Sequence, residues 1–426
     1  MPEPTLFHRA FLLLLSLLNL VALVSWGCNP TPPGTGSTPE TRSRAGDTIL
    51  VTNPSPGLPD TARLEEVWRL PQDSVTALAR GPDGGILLAR RGNGIHRVSP
   101  DGKSSREVAP GPFEIVTGLA APADGGILVR DEGAGLVLKV SPHGGVEGRS
   151  PLPKGFPVYR HDALTLDTRG RGWLALGARF PSREEPVTYP RPVFVRLGPD
   201  LEPRDTLFVP DRFAEACPTL SQERFSSGRF EDFRVRYYPK VKWGFHPDGY
   251  LVAGCSADYT WEAIPPTGEL LRVEKEWQAL ETPRDERLSF QTVWTAQMNL
   301  SGRYEEWGWI GSQLPRTRPA YHLLRPERAG RTWVWPVGPS MKSPTPATWP
   351  LAGLPDTLWV EPDRGTFDVF EADGTLRGHV AFPEALGYSP LRGGVHPLIV
   401  GDTLWVLVPG QEGGSEALVR LEVIWP

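Results

Sequence analysis

The sequence predicts an all-β fold, a six-bladed β-propeller of four-stranded antiparallel blades, and three observations lead there. Residues 75–106 are written out again at 116–148: Thr76, Leu78, Ala79, Asp83, Gly84, Gly85, Ile86 and Leu87 recur 41 residues later as Thr117, Leu119, Ala120, Asp124, Gly125, Gly126, Ile127 and Leu128. Val98, Ser99, Pro100 and Gly102 recur 42 residues later as Val140, Ser141, Pro142 and Gly144, so one extra residue sits between the two halves of the repeat. Within each copy, short alternating runs are separated by Gly-rich turns, the signature of a propeller blade. Gly 46 and Pro 47 in 426 residues suit many tight turns rather than long helices.

The chain starts with an export signal. His8 and Arg9 precede an uncharged apolar run over residues 10–26, too short for a permanent span of roughly 20 apolar residues. Ser25-Trp26-Gly27-Cys28 resembles a bacterial lipobox, so residues 1–28 read as a signal peptide with Cys28 as the lipidation site. Ordinary cleavage and a short uncleaved anchor are the alternatives. All three place the remaining chain outside the cytoplasm, touching the membrane only through its N-terminus.

Residues 29–62 lack hydrophobic periodicity apart from Ile49-Leu50-Val51, are rich in Pro, Gly, Ser and Thr, and read as a flexible tether. Residues 63–426 read as the propeller. Leu64–Leu70 alternates like a strand but has no neighbouring partner, and a ring must hide its edges, so this strand is assigned to the outside of the last blade.

Blade 1 then reads as strands over 75–80, 86–90, 95–99 and 103–108, and blade 2 repeats it over 116–152. Pro-Asp-Gly between such runs is a turn with a mechanism, because Pro presets φ and Gly accepts positive φ. Blade 3 is read from 163–166, 173–176, 193–197 and 206–209; blade 4 from 242–245, 250–254, 261–264 and 270–274. Blade 5 is split between 321–337 and 366–382, and blade 6 runs from 398 to 424.

Composition narrows the function classes. A net charge of −5 and pI near 6.0 give no electrostatic reason to expect nucleic acid as a partner. Three Cys without a CxxC spacing argue against a zinc ribbon or thioredoxin-like site. There is no Gly-x-Ser-x-Gly elbow, phosphate loop or His-Glu-x-x-His helix.

The runs Leu-Ala-Arg-Gly-Pro-Asp-Gly-Gly-Ile-Leu-Leu (78–88), Trp243 with Pro247-Asp248-Gly249-Tyr250-Leu251-Val252, Pro315 with Pro319-Ala320-Tyr321, and Arg331-Thr332-Trp333-Val334 resemble exported bacterial six-bladed propellers of the NHL/TolB-like type. The resemblance covers about 64–426 and implies a fold, not an activity. Some propellers of this kind are lactonases or lyases that hold a divalent ion in the central channel.

Connectivity suggests where a site lies. In a four-stranded meander, the turns between second and third strands and the links between blades emerge on one face. The long segments 178–191, 211–240, 282–319 and 338–365 are all of these two kinds, so they gather on that face, and long segments in a compact fold often carry function. The links leading to inner strands on this decorated face carry Arg160, His161, Lys240, Lys242, Arg316, Arg318, Arg392 and His396. Converging there, they would favour an anionic ligand such as a carboxylate, phosphate or sugar acid; pointing outward, they would pair with acids in the loops. Trp243, Trp294, Trp307, Trp309 and Tyr321 are candidate stacking walls, with core packing as the alternative for each.

The expected role is therefore a non-catalytic, membrane-tethered module that binds a small anionic ligand or an envelope protein without a cofactor. The alternative is a lactonase- or lyase-type enzyme with a channel metal held by His161, His322 and His396. His246, in a turn on the opposite face, reads as solvated. Cys217 and Cys255 are expected on the decorated face of neighbouring blades and to form a disulfide, which would stabilise by roughly 4 kcal/mol on the chain-entropy model.

Overall fold

In chain order the strands open with β1 (Thr41–Ala45), β2 (Thr48–Asn53) and β3 (Thr61–Pro71). Blade 1 is β4 (Val75–Arg80), β5 (Ile86–Arg90), β6 (Ile95–Val98) and β7 (Ser105–Ala109). Blade 2 is β8 (Val116–Ala120), β9 (Ile127–Asp131), β10 (Leu136–Val140) and β11 (Val146–Pro151). Blade 3 is β12 (Leu164–Leu166), β13 (Gly172–Leu176), β14 (Val193–Leu197) and β15 (Pro203–Phe208), followed by helix α1 (Asp211–Ala216). Blade 4 is β16 (Val241–His246), β17 (Tyr250–Cys255), β18 (Thr260–Ile264) and β19 (Leu270–Lys275), followed by helix α2 (Arg284–Leu300). Blade 5 begins with β20 (Tyr321–Pro326) and β21 (Thr332–Pro336), is interrupted by the hairpin β22 (Met341–Pro344) and β23 (Thr357–Val360), and resumes as β24 (Thr366–Phe370) and β25 (Leu376–Ala381). Last come β26 (Leu398–Val400), β27 (Thr403–Val408) and β28 (Ala417–Ile424).

This computed structural model describes residues 41–54, 61–72, 74–111, 113–153, 164–176, 193–217, 237–265, 268–300, 314–344, 357–360, 365–383, 386, 395–409 and 416–426. Apart from β1, β2 and the hairpin β22–β23, the described strands fall into six four-stranded antiparallel sets, with β3 as the fourth strand of the last. β3 pairs with β28 from Arg63–Ile424 to Pro71–Ala417, and its first residues, Thr61 and Ala62, also run parallel to β25 of blade 5. The protein is an all-β propeller in which β3, from the N-terminal part of the chain, completes the last blade.

The apolar core shows why the sets form a ring. Ala77 and Leu87 of blade 1 cluster with Leu119 and Val129 of blade 2. Ala120 and Leu128 of blade 2 meet Leu174 and Val195 of blade 3. Trp173 and Phe194 of blade 3 meet Phe245 and Leu251 of blade 4. Val252 and Trp261 continue to Tyr321 and Phe370 of blade 5. Trp333 and Phe367 then meet Leu404 and Val406 of the last blade, where Trp405 and Leu418 meet Leu88 and Val98 of blade 1. Alternate residues of a strand face opposite sides, so each blade supplies one wall to each of two seams. Fully burying a large apolar side chain such as those of Phe194 or Phe367 contributes roughly 1.5–3 kcal/mol.

The repeated turns follow the expected chemistry. Gly84 and Gly125 both take φ of +84°, while the Asp83 and Asp124 side chains accept the Gly85 and Gly126 N–H groups at 3.1 and 2.9 Å. Such turns between first and second strands lie on the short-turn face, where neighbouring blades are stitched together. Thr168 N–H donates to Pro247 O at 2.7 Å, Gly401 N–H to Glu327 Oε2 at 2.7 Å, and Arg331 Nη1 to Asp402 Oδ1 at 2.7 Å.

Two expectations change here. Residues 41–53, read as tether, form the antiparallel hairpin β1–β2, which extends blade 4 to six strands because β2 pairs parallel with β19 from Thr48–Leu270 to Asn53–Lys275. Val51 is fully buried, and Gly46 supplies the positive φ (+62°) of the hairpin turn. His246, read as solvated, is 2 % exposed, stacks on Tyr250 with centroids 4.1 Å apart, and accepts the Asp248 N–H through Nδ1. Burial holds its pKa down at about 4 against the opposing pull of Asp248.

Candidate functional site

The decorated face is assembled around one buried ion pair. After β19 the chain runs to Leu280–Thr282, where it pairs with Arg316–Arg318 returning from the α2 excursion: Thr282 N–H donates to Arg316 O at 2.7 Å and Arg318 N–H to Leu280 O at 2.9 Å. This short ladder closes the base of the excursion. Above it, Glu286 in the first turn of α2 accepts two bonds from Arg318 Nη2, at 2.8 and 2.6 Å, with both residues buried. The Tyr237 hydroxyl donates to the same carboxylate, and the Arg318 guanidinium lies 5.3 Å from the Tyr237 ring centroid. Arg318 Nη1 also donates to Gly338 O at 3.0 Å.

One guanidinium thus joins three excursions: the link into blade 4 carrying Tyr237, the link into blade 5 carrying α2, and the insertion of blade 5 at Gly338. Charge-assisted bonds of this kind are among the strong ones, and losing one partner of a buried pair costs about 3–5 kcal/mol. At the surface of the same assembly, Lys342 of β22 reaches Asp285 of α2 at 3.3 Å and lies 5.1 Å from the Trp359 ring of β23. The result is a cap of helix and hairpin rather than separate loops.

The corner of blade 4 after β17 holds the neighbouring links. Lys240 N–H donates to Ser256 Oγ at 2.9 Å, Ser256 N–H to Lys240 O at 3.1 Å, and Ala320 N–H to Ser256 O at 2.7 Å. Beside it, Cys217 at the end of α1 is disulfide-bonded to Cys255 at the end of β17, with Cα atoms 5.3 Å apart. The expected pairing of these cysteines is present. It pins α1 and the start of the link into blade 4 against that blade.

The sequence-derived candidates separate into groups. Arg318 is not a ligand-facing cation: its guanidinium is consumed inside the cap by Glu286, because a buried charge needs a buried counter-charge. Lys240 and Lys242 bracket the start of β16, with Lys242 opposite Gly254 of β17, and both are half-buried. Arg316 is exposed beside the base of the excursion, and His396 is half-buried just before β26. These four lie at or just ahead of inner strands of blades 4, 5 and 6, on the face reached by the links. Arg160, His161, Arg392 and Cys28 lie outside the described residues.

For the metal alternative, His322 packs against Trp335, ring centroids 5.1 Å apart, and among the described residues no three His, Cys, Asp or Glu side chains converge as a metal site would need. Of the aromatic candidates, Tyr321 is core, fully buried with its hydroxyl donating to Thr260 O at 2.9 Å. Trp243 packs edge-on to Phe194, centroids 4.8 Å apart, in the seam between blades 3 and 4. Trp307, Trp309 and the Trp294 side chain are outside the described residues.

A second polar cluster, invisible in the sequence, fills the seam between blades 4 and 5. Asp368 of β24 is 1 % exposed and takes Lys275 Nζ at 2.5 Å, the Tyr259 hydroxyl and His379 Nδ1. Burial pushes its pKa up, but the bonds from His379 and Lys275 outweigh this and hold the carboxylate below its usual range. Burial, reinforced by the same carboxylate, drives the Tyr259 hydroxyl well above its ordinary value. Each partner comes from a different strand or turn, so no local spacing announces the cluster. The one available signal was an Asp in an otherwise apolar strand, Thr-Phe-Asp-Val-Phe.

The chain has distant similarity to several solved structures. The chain is similar to a member of the DUF4221 family from Bacteroides vulgatus, with 10% identity over 86% of this chain and 98% of that one and a TM-score of 0.47. It is also similar to the gluconolactonase XC5397 of Xanthomonas campestris, with 13% identity over 93% and 100% of the two chains and a TM-score of 0.36. The Cps50 (Swd1) β-propeller domain of Myceliophteria thermophila matches with 10% identity over 85% and 100% and a TM-score of 0.36. No activity transfers at such distances. No family model and no curated protein matches the chain.

Proposed function

We propose that this is an exported, six-bladed propeller of the NHL/TolB-like kind, held to a membrane through lipidated Cys28, that binds a small anionic ligand or an envelope protein on its decorated face without catalysing a reaction. The observation that carries the reading is the cap. Excursions from three different places in the chain are fastened into one body by Arg318, Glu286, Tyr237 and Gly338, on the face where Lys240, Lys242, Arg316 and His396 stand at or ahead of inner strands. Surface insertions without a role have no need of a fully buried ion pair to fix their relative positions. Arg160, His161 and Arg392 complete the proposed ligand set from the links into blades 3 and 6.

Membrane attachment is assigned to the N-terminal lipid or signal anchor on the apolar run at 10–26 and the lipobox-like Ser25-Trp26-Gly27-Cys28. Intact-mass measurement of protein extracted from membranes tests it: a diacylglyceryl adduct on Cys28 is the expected result, and an unmodified Cys28 in the mature chain would refute lipidation. The ligand reading is tested by titrating the full chain with galacturonate and with inorganic phosphate at low and high salt. Binding should weaken with salt and fall at least tenfold in Lys240→Ala and Arg316→Ala. Salt-independent binding, or wild-type affinity in both variants, would remove the basic face as the site. A stoichiometric divalent ion in the purified protein, lost in His322→Ala, would favour the lactonase or lyase alternative instead.

A further inference from the structure

We infer that the N-terminal hairpin β1–β2 is a clasp that controls the cap of the decorated face, acting through Asn53. The hairpin ends where the capping excursion begins. Asn53, the last residue of β2, is 2 % exposed and each polar group of its backbone end and side chain is engaged: its carbonyl oxygen accepts the Glu276 N–H at 2.9 Å, its Oδ1 accepts the Leu376 N–H at 2.7 Å, and its Nδ2 donates to Gly374 O at 3.0 Å and Glu274 O at 3.4 Å. Glu276 is the first residue after β19, and four residues later Leu280 starts the ladder that closes the α2 excursion. A single residue therefore fixes three places: its side chain holds the outer strand of blade 4 and the turn before β25 of blade 5, and its backbone carbonyl holds the first peptide of the link that bears the cap.

Independent contacts place the clasp on the same seam. Val51 packs where Gly374, at φ +88°, leaves no space: a Cβ there would come within 2.6 Å of Val273 and 3.5 Å of Val51. The strands paired to either end of this segment, β19 at Asn53 and β25 at Thr61, are those that carry Lys275 and His379 to Asp368. Releasing the hairpin would uncover the outer edge of β19, strip the Glu276 N–H of its acceptor and loosen the base of the cap. Anything that pulls on or binds the chain ahead of Thr41 would then be felt on the ligand-side face, through a local opening with its own free energy.

The inference deepens the decorated-face reading and rests on it for its functional meaning, but its test needs no ligand, so the two can fail separately. Amide hydrogen exchange of the full chain is measured for wild type, Asn53→Ala, and Arg44→Ala, the last removing an exposed ion pair to Glu269. Asn53→Ala should speed exchange at least tenfold in β2 and in residues 276–290 while blade 2 stays unchanged; Arg44→Ala should change neither. Faster exchange in β2 alone, or an equal rise in every blade, overturns the proposal. Should Asn53→Ala fail to fold, wild-type exchange in increasing sub-denaturing urea decides. The hairpin and residues 276–290 should open as one unit before blade 2, and separate opening energies overturn the clasp.

Discussion

The short-turn face and the decorated face are made from opposite ends of the same strands, yet they are fastened by different means. On the short-turn face, neighbouring turns are joined by a backbone bond, Thr168 to Pro247, and by a cluster at the turn tips in which Glu327 and Arg331 hold Gly401 and Asp402, while His246 is sealed against Tyr250. On the decorated face the fastening of the long excursions runs mainly through side chains: Tyr237 with Glu286, Glu286 with Arg318, and Cys217 with Cys255. Backbone-to-backbone stitching tolerates almost any side chain at the turn tip but no change in turn length. Side-chain knots tolerate excursions of any length provided a few anchors keep their chemistry. The second arrangement leaves a face free to vary around a fixed frame, which is what ligand recognition on a common fold requires.

The largest expected effect breaks the decorated side of this comparison. Arg318→Ala leaves Glu286 buried beside Tyr237 without its counter-charge and should cost about 3–5 kcal/mol in chemical denaturation, whereas Arg318→Ala with Glu286→Leu should recover much of it. Additive losses in the double variant would show that the pair does not act as a unit. Next, Cys217→Ser with Cys255→Ser should lower stability by about 4 kcal/mol on the chain-entropy estimate, with the unfolding midpoint of reduced wild type falling to the same value.

The short-turn face is sharpened by pH. The unfolded chain protonates His246 near its ordinary pKa of about 6.5, while the folded protein keeps it neutral down to about 4. Proton uptake by the unfolded state therefore drains stability as pH falls through that window, by up to roughly 3 kcal/mol. His246→Phe, which keeps a ring for Tyr250, should flatten the pH dependence between about 6.5 and 4; an unchanged slope would place the acid sensitivity elsewhere. The smallest effect returns to the cap: Lys342 and Asp285 are both 57% exposed, so Lys342→Ala should cost below about 1 kcal/mol and less in high salt.

What the sequence revealed and what it hid divide along physical lines. The blades were readable because a two-residue alternation and Asp-Gly turns are local, and copying the unit at 116–148 made the period plain. The closing strand was readable because Leu64–Leu70 alternated with no neighbour to pair with. The hairpin at 41–53 was missed although Ile49-Leu50-Val51 hinted at it: Thr41–Ala45 is exposed along its whole length and so carries no apolar pattern, and β2 finds its partner more than two hundred residues away. Arg318 could not be told from a ligand cation because its counter-charge, Glu286, lies 32 residues earlier in the same excursion, where no local spacing links the two. His246 misled because a Pro-Asp-Gly turn reports backbone shape, not what the ring beside it lies against.

The pairing of β3 with β28 sets a timetable for the molecule. Ala417, the first partner of that strand, follows Pro71 by 346 positions, and at ~5–20 residues per second a ribosome needs roughly 20–70 s to produce the stretch between them. Throughout that interval Thr61–Pro71 has an unsatisfied ladder edge, and blade 1 lacks the Trp405 and Leu418 that cover its Leu88 and Val98. The open edge and the uncovered seam make the unfinished chain the vulnerable species of this topology, so its failure is expected to be aggregation before β28 arrives rather than misfolding of the finished ring.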